Sequence, residues 1–133
     1  MVDVLILNYN DYKTTLGLVH SIECYKNIAH ILIVDNASTD GSYDMLKCFC
    51  NDKIDVVRTD RNGGYGYGNN FGIEYLSSKY SSKYTLLCNP DVIFDEYLID
   101  VMEKFLNENS EYIIVAPFMY DKNKIKQSNT MCR

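Results

Sequence analysis

Tyr84-Thr85-Leu86-Leu87-Cys88-Asn89-Pro90-Asp91-Val92 begins as an apolar run and stops abruptly at an amide, a proline and a carboxylate. A run this short suits a buried strand, and Asn-Pro and Pro-Asp are strong turn pairs. The same pattern recurs upstream. Ile31-Leu32-Ile33-Val34-Asp35 is fully apolar up to Asp35 and leads into the polar turn Asn36-Ala37-Ser38-Thr39-Asp40-Gly41. Val2 to Leu7 is β-rich and is broken by Asn8-Tyr9-Asn10-Asp11. Ile54 to Arg58 runs into Asp60-Arg61-Asn62-Gly63-Gly64. Continuously apolar strands are buried on both faces, which is the mark of a parallel sheet.

Between these strands the apolar residues recur at helical spacing. Leu16, Val19, Ile22 and Tyr25 predict a helix capped by Asp11. Met45, Leu46 and Phe49 predict a second. Phe71, Ile73, Tyr75 and Leu76 predict a third, from about Tyr67 to Tyr80. Leu98, Val101, Met102, Phe105 and Leu106 predict a fourth, capped by Asp95. Tyr112 to Ala116 reads as a fifth strand stopped by Pro117. Asp121-Lys122-Asn123-Lys124 reads as a turn between Phe118-Met119-Tyr120 and Ile125-Lys126-Gln127. The alternation predicts an α/β fold, three αβα layers around a mostly parallel central sheet, in one domain over residues 1–133.

Composition excludes several classes of function. The 133 residues suit one core, and a net charge of −5 argues against a nucleic-acid partner. No apolar run approaches the roughly 20 residues of a membrane span. Met1 to Leu7 lacks a basic leader and a small-residue cleavage site, so it reads as a strand and not as a signal peptide. The five cysteines, Cys24, Cys48, Cys50, Cys88 and Cys132, form no C-x-x-C pair, and His20 and His30 complete no zinc spacing. They are expected to be reduced thiols, buried or partly buried, with Cys132 a reactive surface thiol.

Polar residues concentrate just after the strands: Asn8, Tyr9 and Asn10; Asp35, Asn36 and Asp40; Asp60 and Asn62; Asn89 and Asp91. In a parallel sheet all four sets lie at the carboxyl edge, where open α/β folds bind their ligands. Such a crevice is poor for a bare anion. It suits a base, a ribose and a diphosphate bridged by a divalent cation, with Asp91 as the metal ligand. Blander readings stand beside these. Asp35 could only cap a turn, Asn89-Pro90-Asp91 could only be a turn, and Tyr9 is one of twelve tyrosines. The run Gly63-Gly64-Tyr65-Gly66-Tyr67-Gly68-Asn69-Asn70 has Asn69 where G-x-G-x-x-G needs glycine and follows the third strand, which excludes a Rossmann cofactor site. There is no P-loop and no credible Ser-His-Asp set.

Leu7-Asn8-Tyr9-Asn10, Val34-Asp35-Asn36-Ala37-Ser38-Thr39-Asp40-Gly41-Ser42, Asn62-x-Gly64 with Gly68-x-Asn70-x-Gly72, and Asn89-Pro90-Asp91-Val92 together resemble family 2 glycosyltransferases, and within them the rhamnosyltransferase-like members. The resemblance spans almost the whole chain. It implies a GT-A fold, a nucleotide-diphosphate sugar donor, a divalent cation (Mn2+ or Mg2+) and inversion at the anomeric carbon. By the same resemblance Tyr9 flanks the base, with Asn8 beside it. Asp35 accepts from the base imide or ribose. Asn62, Gly64 and Asn70 shape the donor pocket. Asn89 and Asp91 occupy the D-x-D position, with Asp91 on the metal.

Two departures from the family pattern follow. Asn89 replaces the first acid of D-x-D, which leaves one fewer charge for the ion. Family members also run on beyond this point and supply the acceptor site and the catalytic base later. No good candidate for that base lies between Val115 and Arg133, Asp121 falling in a turn. The chain is therefore expected to be the donor-binding half of an enzyme of bacterial surface polysaccharide synthesis, truncated at its C-terminus. A cytoplasmic place, peripheral at the inner face of the membrane, goes with that reading. Expected partners are a UDP- or dTDP-sugar, a saccharide or lipid-linked saccharide acceptor, and a second copy covering an exposed sheet edge. The alternatives are a non-catalytic nucleotide-sugar-binding module and a sugar-phosphate nucleotidyltransferase. The latter is disfavoured because no Gly-rich basic loop follows the first strand.

Overall fold

A computed structural model describes residues 1–121 and 123–125 of the chain. Four strands, β1 (Val2–Asn8), β2 (Ile28–Asp35), β3 (Ile54–Arg58) and β4 (Thr85–Cys88), pair in the order β3-β2-β1-β4, all parallel. Each is followed by a helix: α1 (Tyr12–Ile22), α2 (Ser42–Lys47), α3 (Gly64–Lys79) and α4 (Glu96–Glu108). The register sets Asn8 opposite Asp35, Asp35 opposite Arg58, and Ile6 opposite Cys88. The carboxyl ends of the strands therefore lie side by side.

Successive side chains of a strand point to opposite faces, and both faces of β1 and β2 are covered; β4, expected as a buried strand, lies at the sheet edge with Leu87 44% exposed. Val4, Ile6, Ile31 and Ile33 pack with Leu18, Val19, Ile22, Leu46 and Ile99, on the face of α1, α2 and α4. Leu5, Leu32 and Val34 pack with Leu76 of α3 on the other. This makes three layers, as the pattern of apolar runs implied.

The helix ends follow local chemistry. The Asp11 carboxylate accepts from Thr14 N at 3.2 Å and starts α1, and Asp95 accepts from Leu98 N at 3.0 Å and starts α4. α3 begins at Gly64, three residues before the expected start, because Asn62 Oδ1 accepts from Gly64 N at 3.0 Å across the glycine run. Glycine also sets how closely α3 lies on the sheet. A Cβ on Gly72 would overlap Leu5 Cδ1 and stand 2.9 Å from Val34 Cγ2, and one on Gly68 would overlap Leu7 Cδ1.

Three expectations need correction. Tyr112 to Ala116 forms no strand, and Ile113 and Ile114 stand largely in solvent. β-propensity describes fit to a paired, half-buried surface, and this segment has no ladder partner among the described residues. In α4 the fully buried residue is Ile99, while Val101 and Phe105 of the expected face are exposed. Of the described cysteines, Cys24, Cys48 and Cys50 are exposed; only Cys88 is buried, and burial pushes its thiol up to about 12. The turn at Asp121 forms, with its Oδ1 accepting from Asn123 N and Ile125 N at 2.9 Å. Lys126-Gln127 and Cys132 lie outside the described residues.

At the amino edge of the sheet a polar cluster pins the far end of α3. His30 stacks on Tyr80 with ring centroids 3.5 Å apart, and its Nδ1 lies 2.9 Å from the buried Asp3 carboxylate. Tyr80 OH and Lys79 Nζ both donate to Asp55, at 2.7 and 2.8 Å. Burial works to raise the Asp55 carboxyl, but the Lys79 and Tyr80 hydrogen bonds outweigh it and hold it below its ordinary 3.8.

Two tests follow from this packing. Gly72→Ala gains helix propensity of about 1 kcal/mol but overpacks a dense contact at a cost of about 1–3 kcal/mol, so it should lower stability. Gly66→Ala, with nothing within 4 Å of the added Cβ, should raise it. Urea midpoints moving in the same direction for both would refute the close approach. A carboxyl depressed in the folded state stabilises it above the unfolded value and loses that contribution as pH falls through the folded one. Asp55→Asn should therefore be less stable than wild type at pH 7, with the gap closing as pH drops below 3.8.

Candidate functional site

The carboxyl ends of β1 and β2 are bound by a buried network. Asn8 is fully buried; its Nδ2 donates to Asp35 Oδ1 at 2.9 Å and its Oδ1 accepts from Thr15 Oγ1 of α1 at 2.8 Å. The second Asp35 oxygen, Oδ2, accepts from Ser38 N at 3.0 Å, with Arg58 Nε 3.5 Å away. Ser38 Oγ in turn accepts from Asn10 N at 2.9 Å, and Thr39 N donates to Asn10 Oδ1 at 2.8 Å. Two loops that follow different strands are thereby locked together. Both carry a left-handed residue, Asn10 at φ 53° and Ala37 at φ 57°. Such backbone strain persists only where surrounding bonds over-determine it.

A second knot joins the ends of β2 and β3 to α3. Asn36 Nδ2 donates to Asn62 Oδ1 at 2.9 Å and to Gly64 O at 3.2 Å, and Asn36 Oδ1 accepts from Thr59 Oγ1 at 3.2 Å. Gly64 sits at φ 84°, where glycine is the unstrained choice.

Above these knots opens a cleft of about 470 Å³. Tyr9 and Tyr65 stand at it, 48% and 58% exposed. The Asn36–Asn62–Gly64 knot forms one wall, Asn89-Pro90-Asp91 another, and Asp11 and Thr14 border it at the start of α1. Asn89-Pro90-Asp91 is both a turn and a cleft wall, so its two readings are compatible.

Five residues singled out in the sequence, Tyr9, Asn62, Gly64, Asn89 and Asp91, thus meet at one cleft. Three do not reach it. Asn8 and Asp35 lie fully buried beneath it, both Asp35 oxygens being engaged by the chain itself. Asn70 is exposed on α3 and is not part of the lining. Residues that sequence reasoning missed are Thr14, Tyr65 and the linking role of Asn36. Asn36 stands directly after a strand-end carboxylate, which is the signal that marks it.

Among the described residues the cleft's carboxylates are Asp11 and Asp91, and no lysine or arginine lines it. Among the described residues no group of three or more His, Cys, Asp or Glu gathers into a metal cage. Asp91 and the Asn89 amide offer oxygen donors, which suit Mg2+ or Mn2+. Such an ion commonly takes one or two protein carboxylates and fills its shell with water and phosphate oxygens, so the donors fit a phosphate-bridging ion.

Known proteins place this arrangement. The fold resembles that of Staphylococcus aureus TarS 1-349, with a TM-score of 0.64 and 18% identity over 92% of this chain and 40% of that one. It resembles equally a mannosyltransferase, PcManGT of Pyrobaculum calidifontis, solved with GDP-Man and Mn2+, with a TM-score of 0.66 and 17% identity over 79% of this chain and 32% of that one. The molecule is an α/β protein of the GT-A glycosyltransferase type. The model of glycosyl transferase family 2 matches residues 3–131, and the chain belongs to that family. A curated relative, the low-salt glycan biosynthesis hexosyltransferase Agl10 of Haloferax volcanii, is 27% identical over 124 residues, covering 92% of this chain and 38% of that protein. The chain thus spans about two fifths of the relatives it matches. No helix among the described residues is long and apolar enough to cross a membrane.

The buried network has a direct test. Asp35→Asn keeps the shape but sets an amide N–H against a hydrogen-bond donor, Asn8 Nδ2 or Ser38 N. Leaving such buried groups unpaired costs about 1–3 kcal/mol each. Asp35→Asn should destabilise nearly as much as Asp35→Ala in urea unfolding. An isosteric change within 0.5 kcal/mol of wild type, roughly the effect of a surface substitution, would contradict this role.

Proposed function

We propose that the chain is the donor-binding part of a glycosyltransferase that takes a UDP- or dTDP-sugar, with a divalent cation at Asp91. The observation that carries this reading is the cleft at the carboxyl edge, whose lining holds Tyr9, Asn62, Asn89 and Asp91 together with a second carboxylate and, among the described residues, no basic side chain. A diphosphate would be repelled there on its own and accepted with a cation, since opposite charge must be brought in with it. The cleft volume is that of a small-molecule site.

Within the cleft Tyr9 and Tyr65 offer aromatic surface for a base, and Asn62 and Asn89 offer amides for ribose or phosphate oxygens. Asp91 holds the cation, which when bound would act as a Lewis acid toward charge on the departing diphosphate. Asp35 acts from below by holding the Tyr9 loop. Transfer to a saccharide or lipid-linked acceptor with inversion, within surface polysaccharide synthesis at the cytoplasmic face of a membrane, completes the reading. Support for transfer comes from the family membership and from the hexosyltransferase relative.

A binding module without turnover is the second reading, and one observation favours it. Among the described residues the lining's carboxylates are Asp11, which caps α1, and Asp91, which this reading gives to the cation, so there is no third one to deprotonate an acceptor hydroxyl.

Calorimetric titration of the chain with UDP, dTDP and their sugars, with and without Mn2+, tests the proposal. Binding that strengthens with Mn2+ is expected, and Asp91→Ala should abolish the metal-dependent part while leaving the unfolding midpoint unchanged. Absence of heat with every nucleotide, or metal dependence surviving in Asp91→Ala, would contradict it.

A further inference from the structure

Asp91 is carried by a segment that is neither helix nor strand. Residues 89–95 run from the end of β4 to the start of α4, and from Asp91 onward the burial of their side chains alternates. Val92 and Phe94 pack against the core cluster that holds Leu18 of α1 and Ile99 of α4, while Asp91, Ile93 and Asp95 stand in solvent. Alternation of this kind marks an extended chain lying on a packed surface. In such a chain a slip of one residue turns every side chain to the other side. Asp91 would then face the core and Val92 the cleft.

The far end of the segment meets the turn at residues 23–27, which joins α1 to β2 at the amino edge of the sheet. The Tyr25 hydroxyl of that turn donates to Phe94 O at 2.9 Å, and its ring meets the Phe94 ring edge-on, with centroids 6.3 Å apart. Two residues further on, the Glu96 carboxylate accepts from Lys26 N and Asn27 N, and Asn27 Nδ2 donates to Glu96 O at 3.0 Å. The turn is itself tied down, because Lys53 Nζ donates to Glu23 O at 2.7 Å and to Tyr25 O at 2.8 Å. Of these ties the Tyr25 hydroxyl is the one made to the extended segment itself. Asp91 lies three residues from Phe94, about 10 Å along an extended chain, so a bond at Phe94 sets where Asp91 falls.

We propose that Tyr25 is a positioning residue for the cation site. By holding Phe94 O it fixes the register of the segment and so the outward aim of Asp91 at the cleft. This rests on the reading of Asp91 as the cation's ligand. It adds a residue from the opposite edge of the sheet that touches neither cation nor nucleotide. Groups that orient a metal ligand commonly matter to metal affinity nearly as much as the ligand does.

The test titrates the full chain with UDP, with and without Mn2+, and reads amide heteronuclear NOEs at Asp91, Val92 and Ile93 without ligand. Tyr25→Phe keeps the ring contact and removes only the hydroxyl. It should lower the three NOEs and cut the Mn2+-dependent gain in UDP affinity about tenfold, with metal-free affinity unchanged. Tyr80→Phe is the control, since it removes a hydroxyl that donates to Asp55 at 2.7 Å beneath the other face of the sheet. It should lower the unfolding midpoint and leave both readouts as in wild type. If wild type shows no Mn2+-dependent binding, the reading of the cleft fails and this role fails with it. If wild type shows it, three results would overturn the positioning role alone: an undiminished gain in Tyr25→Phe, a loss there with unchanged NOEs, or an equal loss in Tyr80→Phe.

Discussion

The loop that carries Tyr9 to the cleft depends on the way the Asp35 carboxylate is buried. An ionised carboxylate out of water is costly unless each oxygen is bonded. Here one oxygen takes the Asn8 amide and the other takes the Ser38 backbone N–H, with Arg58 nearby. Because Asn8 ends β1 and Ser38 follows β2, the single carboxylate ties the two central strands at their functional edge. The strained backbone at Asn10 and Ala37 is held by the bonds that radiate from it, and Tyr9 takes its place from that backbone. The amide knot at Asn36 extends the same logic to β3 and α3.

This arrangement divides labour between two levels. The buried level is charged but satisfied, and it provides rigidity. The upper level, with Asp91, Asn89 and the two tyrosines, is exposed at the cleft, while Asn62 belongs to both levels, its Oδ1 accepting from Asn36 Nδ2 and Gly64 N. On the proposed reading, a cleft bordered by acids and amides disfavours a bare anion and favours one that arrives with a cation. The opposite edge of the sheet is closed by its own Asp3–His30–Tyr80 cluster, which anchors α3 and leaves its glycine-rich start to shape the pocket.

Strand order was not legible, but the four strands that form were, since the central β1 and β2 are buried on both faces and read as largely apolar runs, although the edge strands β3 and β4 are only partly buried. The Asp11 and Asp95 caps were legible for the same reason that they work, a carboxylate placed three residues before a free N–H. The start of α3 was hidden because glycine has poor intrinsic helix propensity, while the Asn62 Oδ1 bond to Gly64 N marks it in the structure. Tyr112 to Ala116 misled because its residues favour strands only where a neighbour pairs with them. At the site, residue type revealed which groups could bond but not to whom: Asp35, the last residue of β2, is buried, and Asp91, in the turn after β4, is exposed, though both follow apolar runs.

Amide chemical-shift mapping of the isotopically labelled chain with UDP and Mg2+ tests the central claim most directly. The account predicts shifts concentrated at Tyr9, Asn36, Asn62 to Tyr65 and Cys88 to Asp91, with Asp3, His30 and Tyr80 at the opposite sheet edge unmoved. Saturable shifts centred on that opposite edge or on the exposed face of α4, with the cleft residues unchanged, would contradict it.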